Sequence, residues 1–478
     1  MKKLACLLLV TILLFSFSAC STENVSISNS EVSSHTETLS KTEMPSDAES
    51  ESPRNVATPS DVVNPSNVET PSNVETPSDV ETPSDVETPS DVETPSDVET
   101  PSDVKTLGET ELNDLHNVIQ SQNSDPNISQ DFEPITDNEF SGGNGTQSNP
   151  YLITTSKQLI YLSEKINSGK MNNGVHFALG ADIDMAGVEF LPIGNGTYRF
   201  SSNFDGRGFS ISNLSPKLLY DDYGNNANYS CGFFGIVGNA EIKNLHLENV
   251  NITYTYESNY FTEIGLLAGC VYPTRECKIT DCIVNGNINV ETDVLLVGGI
   301  VGDIFVTDNA KLKCERLQSN TKLQVRSDSV NAGAISGSLL GSGEEIFTDI
   351  CVQSEILHSS TYYSHIGAFG GVANSKGSMS VSNCFIKINT NKKYGDNVHP
   401  LIGGIIDSYQ PSGTFDFINV FGFADGCTKL YEIPSENLVK EENCSFVNVL
   451  PANCNFNTEI WDITDPATPF IKLNFQKN

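Results

Sequence analysis

A glycine-flanked apolar motif recurs every 33 to 36 residues in the C-terminal half of this 478-residue chain. Its copies are GLLAG, GGIVG, GAISG, GAFGG and GGIID, which begin at Gly265, Gly298, Gly333, Gly367 and Gly403, and an earlier copy, GFFGIVG, begins at Gly232. Each copy is followed by a polar stretch and a second apolar run whose residues largely alternate, as in half-buried strands. Two strands per repeat cannot bury a core alone, so the period predicts a solenoid of stacked coils.

A cysteine occurs at a nearly constant distance after the first glycine of four repeats. These are Cys282, Cys314, Cys351 and Cys384, which follow their glycines by 17, 16, 18 and 17 residues. Equivalent positions in a parallel solenoid stack about 4.8 Å apart, so we expect one buried inward column of thiols. Because the chain has no CxxC pair, unpaired thiols are favoured over disulfides or metal ligands. Better candidates for disulfides in an exported protein lie near the C-terminus: Cys427, Cys444 and Cys454.

The repeats, some of them followed by TDC or SNC, resemble the GLUG-motif repeats of bacterial surface proteins. The upstream block is similar to the segment that opens such arrays, with GNGTQSNPYLITTSKQLIYLSEKIN followed by FALGADIDM, FLPIG and FDGRGFSISNL. The resemblance covers roughly residues 140–425. It implies an all-β, right-handed parallel β-helix in a cell-surface or secreted protein, adhesive or attached to an effector domain. No catalytic residue belongs to the motif, so the resemblance implies none here.

The two ends of the repeat region are predicted to be caps. A helix beginning at Thr155 or Ser156 and ending near Gly169 would cover the open edge of the first coil. Its apolar face is formed by Leu159, Ile160, Leu162 and Ile166. At the other end, the strand-like segment around Trp461 is interpreted as a closing cap. We therefore divide this part of the chain into an N-terminal cap with first coils (139–230), solenoid repeats (231–425) and a C-terminal cap (426–478).

The N-terminus has the layout of an export signal. Lys2 and Lys3 precede an apolar run from Leu4 to Phe17, which is too short for a spanning helix of about 20 residues. The next residues, Ser18-Ala19-Cys20, complete a segment that resembles the bacterial lipobox. The resemblance implies that residues 1–20 are a lipoprotein signal peptide and that Cys20 carries the lipid. An ordinary signal peptide with an incidental cysteine is the alternative.

Residues 21–138 have the composition of a tether. They contain 26 acidic and 3 basic side chains, which is −23 of the net charge of −34. Residues 58–105 are eight hexapeptides of the TPSDVE type, in which proline blocks helix and sheet and valine supplies little surface to bury. We expect a disordered, extended acidic linker. The alternative is an array in which each hexapeptide is a ligand epitope.

The sequence contains none of the catalytic motifs considered. HExxH, GxSxG and GxxxxGK[ST] are all absent, and the seven histidines have no motif partners. Asp182 and Asp184 form the nearest approach to a carboxylate pair, but a turn or a buried hydrogen-bonding role beside the start of the coil is favoured for them, and Asp205 is interpreted as a turn residue. Glu344 and Glu345 are interpreted as solvated loop charges. We therefore expect no catalytic residue, cofactor or metal.

Charge and architecture together limit the function classes. A pI of 4.4 leaves no basic footprint for phosphate backbones, so nucleic-acid binding is excluded. An anchor, a tether and a repetitive exposed surface favour a lipid-anchored protein on the outer face of a bacterial membrane, whose ectodomain binds a glycan, a wall polymer or a host protein. A passive surface stalk without a specific ligand is one alternative. The other, a polysaccharide lyase or hydrolase, would rest on fold analogy alone.

Overall fold

A computed structural model describes residues 140–473 except 172, 224–225, 256–260, 374–375, 392–396, 406–412, 426 and 432–437. All of these residues belong to the unit Phe132–Asn478. The signal peptide, the lipid-attachment residue Cys20, the tether and its hexapeptides all lie outside the described residues.

Strands dominate the described residues, and they are numbered here in chain order. Before the first repeat the elements are β1 (Tyr151–Ile153), α1 (Ser156–Asn167), β2 (His176–Leu179), β3 (Ile183–Asp184), β4 (Asn203–Asp205), β5 (Ser210–Ser212), β6 (Leu219–Tyr223) and β7 (Asn226–Cys231). The repeats contain β8 (Phe234–Val237), β9 (Glu241–Lys243), β10 (His246–Thr255), β11 (Phe261–Gly265), β12 (Ala268–Val271), β13 (Glu276–Glu291), β14 (Val294–Gly298), β15 (Val301–Val306), β16 (Lys311–Gly333), β17 (Ser336–Gly341), β18 (Glu344–Gly367), β19 (Gly370–Ala373), β20 (Ser378–Thr390), β21 (Asn397–Val398), β22 (Ile402–Ile405) and β23 (Thr414–Ala424). The C-terminal strands are β24 (Val439–Glu442), β25 (Ser445–Phe446), β26 (Trp461–Asp462) and β27 (Phe470–Ile471).

Successive coils pair in parallel, as the period predicts. The long strands stack in the order β10, β13, β16, β18, β20 and β23, while β8, β12, β15, β17, β19 and β22 form a separate six-stranded parallel sheet. The antiparallel strand pairs among the described residues are β6–β7 and β26–β27. The predicted parallel β-solenoid is confirmed.

Motif glycines stack where two backbones pass too closely for a side chain. Gly298 is in register with Gly265 and Gly333, and a Cβ on Gly298 would lie 1.8 Å from the Val301 carbonyl oxygen. Gly403 differs. Ile402 pairs with Gly370, so Gly403 is in register with Gly371, the last glycine of GAFGG. The expected alignment of Gly403 with the first glycine of that motif is wrong by four residues.

One register column of seven residues lies in the left-handed backbone region, within strands β13, β16, β18, β20 and β23 and in the connections just before β10 and β25. These residues have φ between 52° and 55°: Asn244, Asp281, Arg316, Asp349, Asn383, Asn419 and Asn443. Asparagine and aspartate tolerate this conformation better than other side-chain-bearing residues, which accounts for six of the seven positions. The amide of Asn443 donates to Asn419 Oδ1 at 2.5 Å and that of Asn419 donates to Asn383 Oδ1 at 3.1 Å, so the bends are linked from coil to coil.

The four repeat cysteines do not form the single column that their spacing predicts. Cys282 and Cys384 share a column, which runs Leu245, Cys282, Leu317, Ile350, Cys384, Val420 and Cys444. Cys314 pairs instead with Ile279 and Phe347, and Cys351 pairs with Gln318 and Phe385. The reason is side-chain alternation: one extra residue after the glycine moves Cys351 to the opposite face of its strand.

All ten cysteines of the described region have free thiols. Cys282, Cys314, Cys351 and Cys384 are buried. The predicted disulfide candidates are half-buried and unpaired: Cys427, Cys444 and Cys454. Burial raises the pKa of the repeat thiols above its usual value, to about 12 for Cys282 and Cys351.

The predicted N-terminal helix is confirmed as α1. Thr155 is the N-cap, and its hydroxyl accepts a hydrogen bond from the Gln158 backbone N–H at 3.4 Å. The buried residues Leu159, Leu162 and Ile166 face the same hydrophobic core as the first coils. Ile160 is only partly buried against that core.

The predicted C-terminal cap consists of two structurally different parts. Strands β24 and β25 pair in parallel with β23 and extend the stack. The following segment, residues 447–473, instead packs on the outer side of the coils, where it buries a second hydrophobic cluster. This cluster contains Cys351, Phe385, Phe421, Leu450, Phe456, Trp461 and Ile471. The interpretation of Trp461 as a closing residue at the end of the stack is therefore wrong, because the segment lies along the side.

Glu345 is also placed differently from its sequence interpretation. Glu344 is exposed and forms an ion pair with Lys311 at 3.1 Å, but Glu345 is buried. Its register neighbours are the buried residues Leu312 and Met379. The pair begins strand β18, so alternation turns one carboxylate to solvent and the next toward the core.

Candidate binding face

The second halves of the long strands have an outer surface of amide side chains. In β13 the sequence NGNINV places Ile288 and Val290 in the core, while Asn287 and Asn289 between and before them are exposed. Period-two alternation is the signal for this arrangement. Parallel pairing repeats it in the neighbouring coils, so the outward residues form rows across the strands.

Three rows define this surface, which we call the amide face. The first row is Asn285, Asn320, Gln353 and Lys387. The second is Asn251, Asn287, Lys322, Glu355 and Asn389, and the third is Thr253, Asn289, Gln324 and Leu357. Neighbours within a row are separated by about 4.8 Å, and the rows lie about 7 Å apart along each strand.

Two pairs of charged side chains on and beside this face join adjacent coils. Lys322 Nζ lies 2.8 Å from Glu355 Oε2, and Arg326 Nη1 lies 3.1 Å from Glu291 Oε2. Each pair joins register neighbours on adjacent strands. Although the chain is strongly acidic, this face presents neutral amides beside these two compensated pairs and Lys387 of the first row.

Hydrogen bonds orient several of the amides. Asn287 Nδ2 donates to Asn251 Oδ1 at 3.0 Å, and Asn285 Nδ2 donates to Glu248 Oε2 at 3.0 Å. The backbone N–H of Asn320 donates to Asn285 Oδ1, also at 3.0 Å. A side-chain amide has two donor hydrogens and an acceptor oxygen with two lone pairs, so these bonds leave further capacity for a ligand.

The acidic residues considered from the sequence have local structural roles. Asp182 Oδ1 accepts from the Ser210 backbone N–H at 2.8 Å, and Asp184 Oδ1 accepts from Asn213 Nδ2 at 2.8 Å. Hydrogen bonds to Asn213 and to a backbone N–H lower the pKa of Asp184. Asp205 accepts from the Arg207 backbone N–H at 2.9 Å within a turn, as predicted. The turn role of Asp205 is confirmed, and Asp182 and Asp184 form hydrogen bonds as expected but are exposed rather than buried. The sequence interpretation did not single out the amide face.

Comparison with known proteins supports a distant relationship only. No protein-family model matches the chain, so its likeness to GLUG-motif repeats stays a resemblance. A protein of Evansella cellulosilytica named "Putative Gly-rich membrane protein" is 32% identical over 121 residues, which are 24% of this chain and 13% of that protein. Halomucin of Haloquadratum walsbyi is 29% identical over 173 residues, which are 34% of this chain and 2% of halomucin. The chain therefore matches only a small part of the length of either relative.

The chain was also compared with solved structures. The crystal structure of a "putative immunoglobulin A1 protease" from Bacteroides ovatus aligns with a TM-score of 0.46 at 18% identity, covering 70% of this chain and 96% of that one. Within the described ranges, no helix has both the length and the apolar character needed to cross a bilayer.

Proposed function

We propose that this chain is a lipid-anchored cell-surface protein whose amide face binds an extended, neutral polysaccharide without cleaving it. The observation that carries the proposal is the set of exposed amides in rows across rigid parallel strands: Asn287, Asn289, Asn320, Gln324 and Asn389. Sugar hydroxyls donate and accept hydrogen bonds, and amides offer both functions on one planar group.

Charge balance favours a neutral ligand over an ionic one. The pairing of Lys322 with Glu355 and of Arg326 with Glu291 leaves no uncompensated cluster of one sign in those rows to attract an acidic polymer. Neutral amides also lose less on desolvation than free charges do. A long polymer would engage several coils at once, so weak contacts at each coil would add up to useful avidity.

The relatives support a location at a membrane or cell surface. One is named a membrane protein and the other a halomucin, although each matches this chain over only part of its length. Lipid attachment at Cys20 follows from the lipobox resemblance and is part of the proposal. Replacing the cysteine, as in Cys20→Ala, should abolish incorporation of radiolabelled fatty acid and release the protein from the membrane fraction, and unchanged incorporation would refute the anchor.

Ligand binding is tested with the immobilised full chain and a panel of neutral and acidic polysaccharides. The double variant Asn287→Ala/Asn289→Ala removes two exposed amides from adjacent rows. Since a hydrogen bond contributes about 0.5–1.5 kcal/mol, we expect a loss of affinity of about tenfold or more for the bound neutral polymer. The matched control, Ser378→Ala/Ser380→Ala, changes outward hydroxyls in the first half of β20 and should bind within twofold of the original chain.

Three outcomes would overturn the proposal. Absence of binding to every polymer would favour the passive stalk. Equal affinity of the amide variant and the control would move the binding site elsewhere. Release of new chain ends from the bound polysaccharide would make the protein an enzyme.

A further inference from the structure

A thiol and two carboxylates converge beside the GLLAG and GGIVG motifs. Glu263 lies in β11, just before Gly265, and Cys270 lies in β12, just after the motif's last glycine. Asp303 of β15 is the register neighbour of Cys270 on the next coil. The sulfur and one oxygen of each carboxylate all lie within 4.8 Å of one another, and the three residues are 5% exposed or less.

The motif glycines bring these side chains together. A Cβ on Gly269 would lie 2.8 Å from the Cys231 backbone nitrogen and 3.0 Å from the Glu263 carbonyl oxygen. On Gly302 it would lie 2.3 Å from the Ile264 nitrogen. Only glycine permits so close an approach of the two sheets, so the same pattern that defines the repeat creates this cluster.

Each carboxylate is oriented by a serine of a flanking coil. Ser230 is the register neighbour of Glu263 and donates from Oγ to Glu263 Oε2 at 3.3 Å. Ser338 is the register neighbour of Asp303 and donates from Oγ to Asp303 Oδ1. Partners of this kind fix the direction of carboxylate ligands in metal sites.

Burial makes the ionised forms of Asp303 and Cys270 unfavourable without a compensating cation. It raises the pKa of Asp303 to about 6, and it raises the pKa of Cys270 well above the usual value, with further increases from the Glu263 and Asp303 charges. Arg199 acts in the opposite direction on Cys270 but is itself stacked over the Tyr272 ring at 3.9 Å. A divalent cation between the three groups would stabilise all three ionised forms at once.

We propose that Glu263, Cys270 and Asp303 bind one zinc-class divalent ion that links two successive coils. Calcium and magnesium prefer oxygen-only sets of six or more ligands, whereas a thiolate with two carboxylates suits zinc with one open coordination position. Tetrahedral zinc separates its ligand atoms by roughly 3.4–3.6 Å, so the three atoms need to approach one another by at most about 1.4 Å. This inference is independent of polysaccharide binding.

Cobalt is the probe, because a thiolate ligand gives Co²⁺ an intense near-ultraviolet charge-transfer band. The purified full chain, stripped with chelator, should bind one Co²⁺ with this band, and one equivalent of Zn²⁺ should displace it. Cys270→Ser should abolish the band, and Asp303→Asn should weaken binding at least tenfold. Ser338→Ala should weaken it by about 10- to 100-fold, as loss of an orienting partner does. The control Cys277→Ser alters a buried thiol outside the cluster and should leave the band unchanged.

A second measurement requires no substitution and so does not depend on variants that fold. Zinc should raise the midpoint of thermal unfolding of the stripped full chain, and magnesium at the same concentration should not. The proposal is overturned if the chain shows neither the cobalt band nor stabilisation by zinc, or if Cys270→Ser retains the band. The absence of both signals would mean that the three groups are instead buried in protonated form, and a band retained in Cys270→Ser would place the cobalt on another cysteine.

Discussion

Trp461 donates a hydrogen bond from Nε1 to Asp349 Oδ1 at 3.0 Å, across 112 residues of sequence. Asp349 is one of the left-handed bend residues, and it is buried. Burial raises its pKa, while the bond from Trp461 acts to lower it. This bond fastens the C-terminal segment to the side of the solenoid.

Removing the Trp461 side chain should loosen that segment. Trp461→Ala should lower the free energy of unfolding by about 3–5 kcal/mol, since a large buried ring is lost. Trp461→Phe keeps an aromatic ring beside Phe456 but removes the donor to Asp349, so about 1–3 kcal/mol should be lost. Denaturant unfolding measures both values, and a Trp461→Phe variant as stable as the original chain would contradict the role assigned to the hydrogen bond.

The cysteines should report the same segment through their reactivity. Cys351 Sγ lies 3.1 Å from the Pro469 carbonyl oxygen beneath residues 447–473, whereas Cys282 and Cys384 lie in the inward column. In Trp461→Ala under native conditions, a thiol reagent should label Cys351 faster than in the original chain, with Cys282 and Cys384 still protected. Peptide mass spectrometry reads each site separately. Simultaneous labelling of all three would show that the segment does not open independently.

Glu345 should make stability decrease with rising pH. Burial raises its pKa to about 8, against about 4.5 in an unfolded chain. The unfolded state therefore binds fewer protons than the folded state between these values, and stability falls as pH rises through that window. Glu345→Gln should remove this part of the pH dependence and be the more stable protein at pH values of about 9.

The control for Glu345 is its exposed neighbour. Glu344→Gln removes a surface carboxylate paired with Lys311 and should reduce the slope of stability against pH only slightly, because burial is the main cause of the raised pKa of Glu345 and the Glu344 charge a smaller one. Urea unfolding of the three proteins between pH values of about 5 and 9 gives the comparison. A parallel pH dependence for the original chain and Glu345→Gln would show that Glu345 is not responsible.

Substitutions at Asn419 test the explanation given for the left-handed bend residues. Its φ is 54°, and its side chain bonds to Asn383 and Asn443 on either side. Asn419→Gly and Asn419→Ala both lose these bonds, but only alanine opposes the backbone conformation. Alanine should therefore be less stable than glycine by about 1 kcal/mol or more in chemical unfolding. A glycine variant no more stable than the alanine variant would contradict this explanation.

Much of the architecture can be predicted from the sequence because the pairing partners recur at a regular interval. The spacing of Gly265, Gly298 and Gly333 predicts the stacking of coils, and the apolar face after Thr155 predicts helix α1. Alternation in NGNINV also determines which asparagines face outward. These features depend on local pattern and on neighbours one repeat away.

Other features depend on contacts that the local pattern does not contain. Cys351 comes one residue after Ile350, which occupies the column position of its strand, and a displacement of one residue reverses the face of a strand. Cys314 comes three residues before Leu317, the column position of its strand, which follows Gly298 by 19 residues whereas Cys282 follows Gly265 by 17. The alternation of side chains along β18 also buries Glu345, although its charge led us to expect it in solvent.

The repeat, the parallel stack and the capping helix follow from short-range periodicity and from the exclusion of side chains at glycine, so the sequence predicts them. The contact of Trp461 with Asp349 and the meeting of Glu263, Cys270 and Asp303 become visible only in the folded chain. The first contact joins residues 112 positions apart, and the second requires two sheets to approach across a glycine turn. Neither distance is encoded in a local pattern, because each results from how the stacked coils and the C-terminal segment pack as a whole.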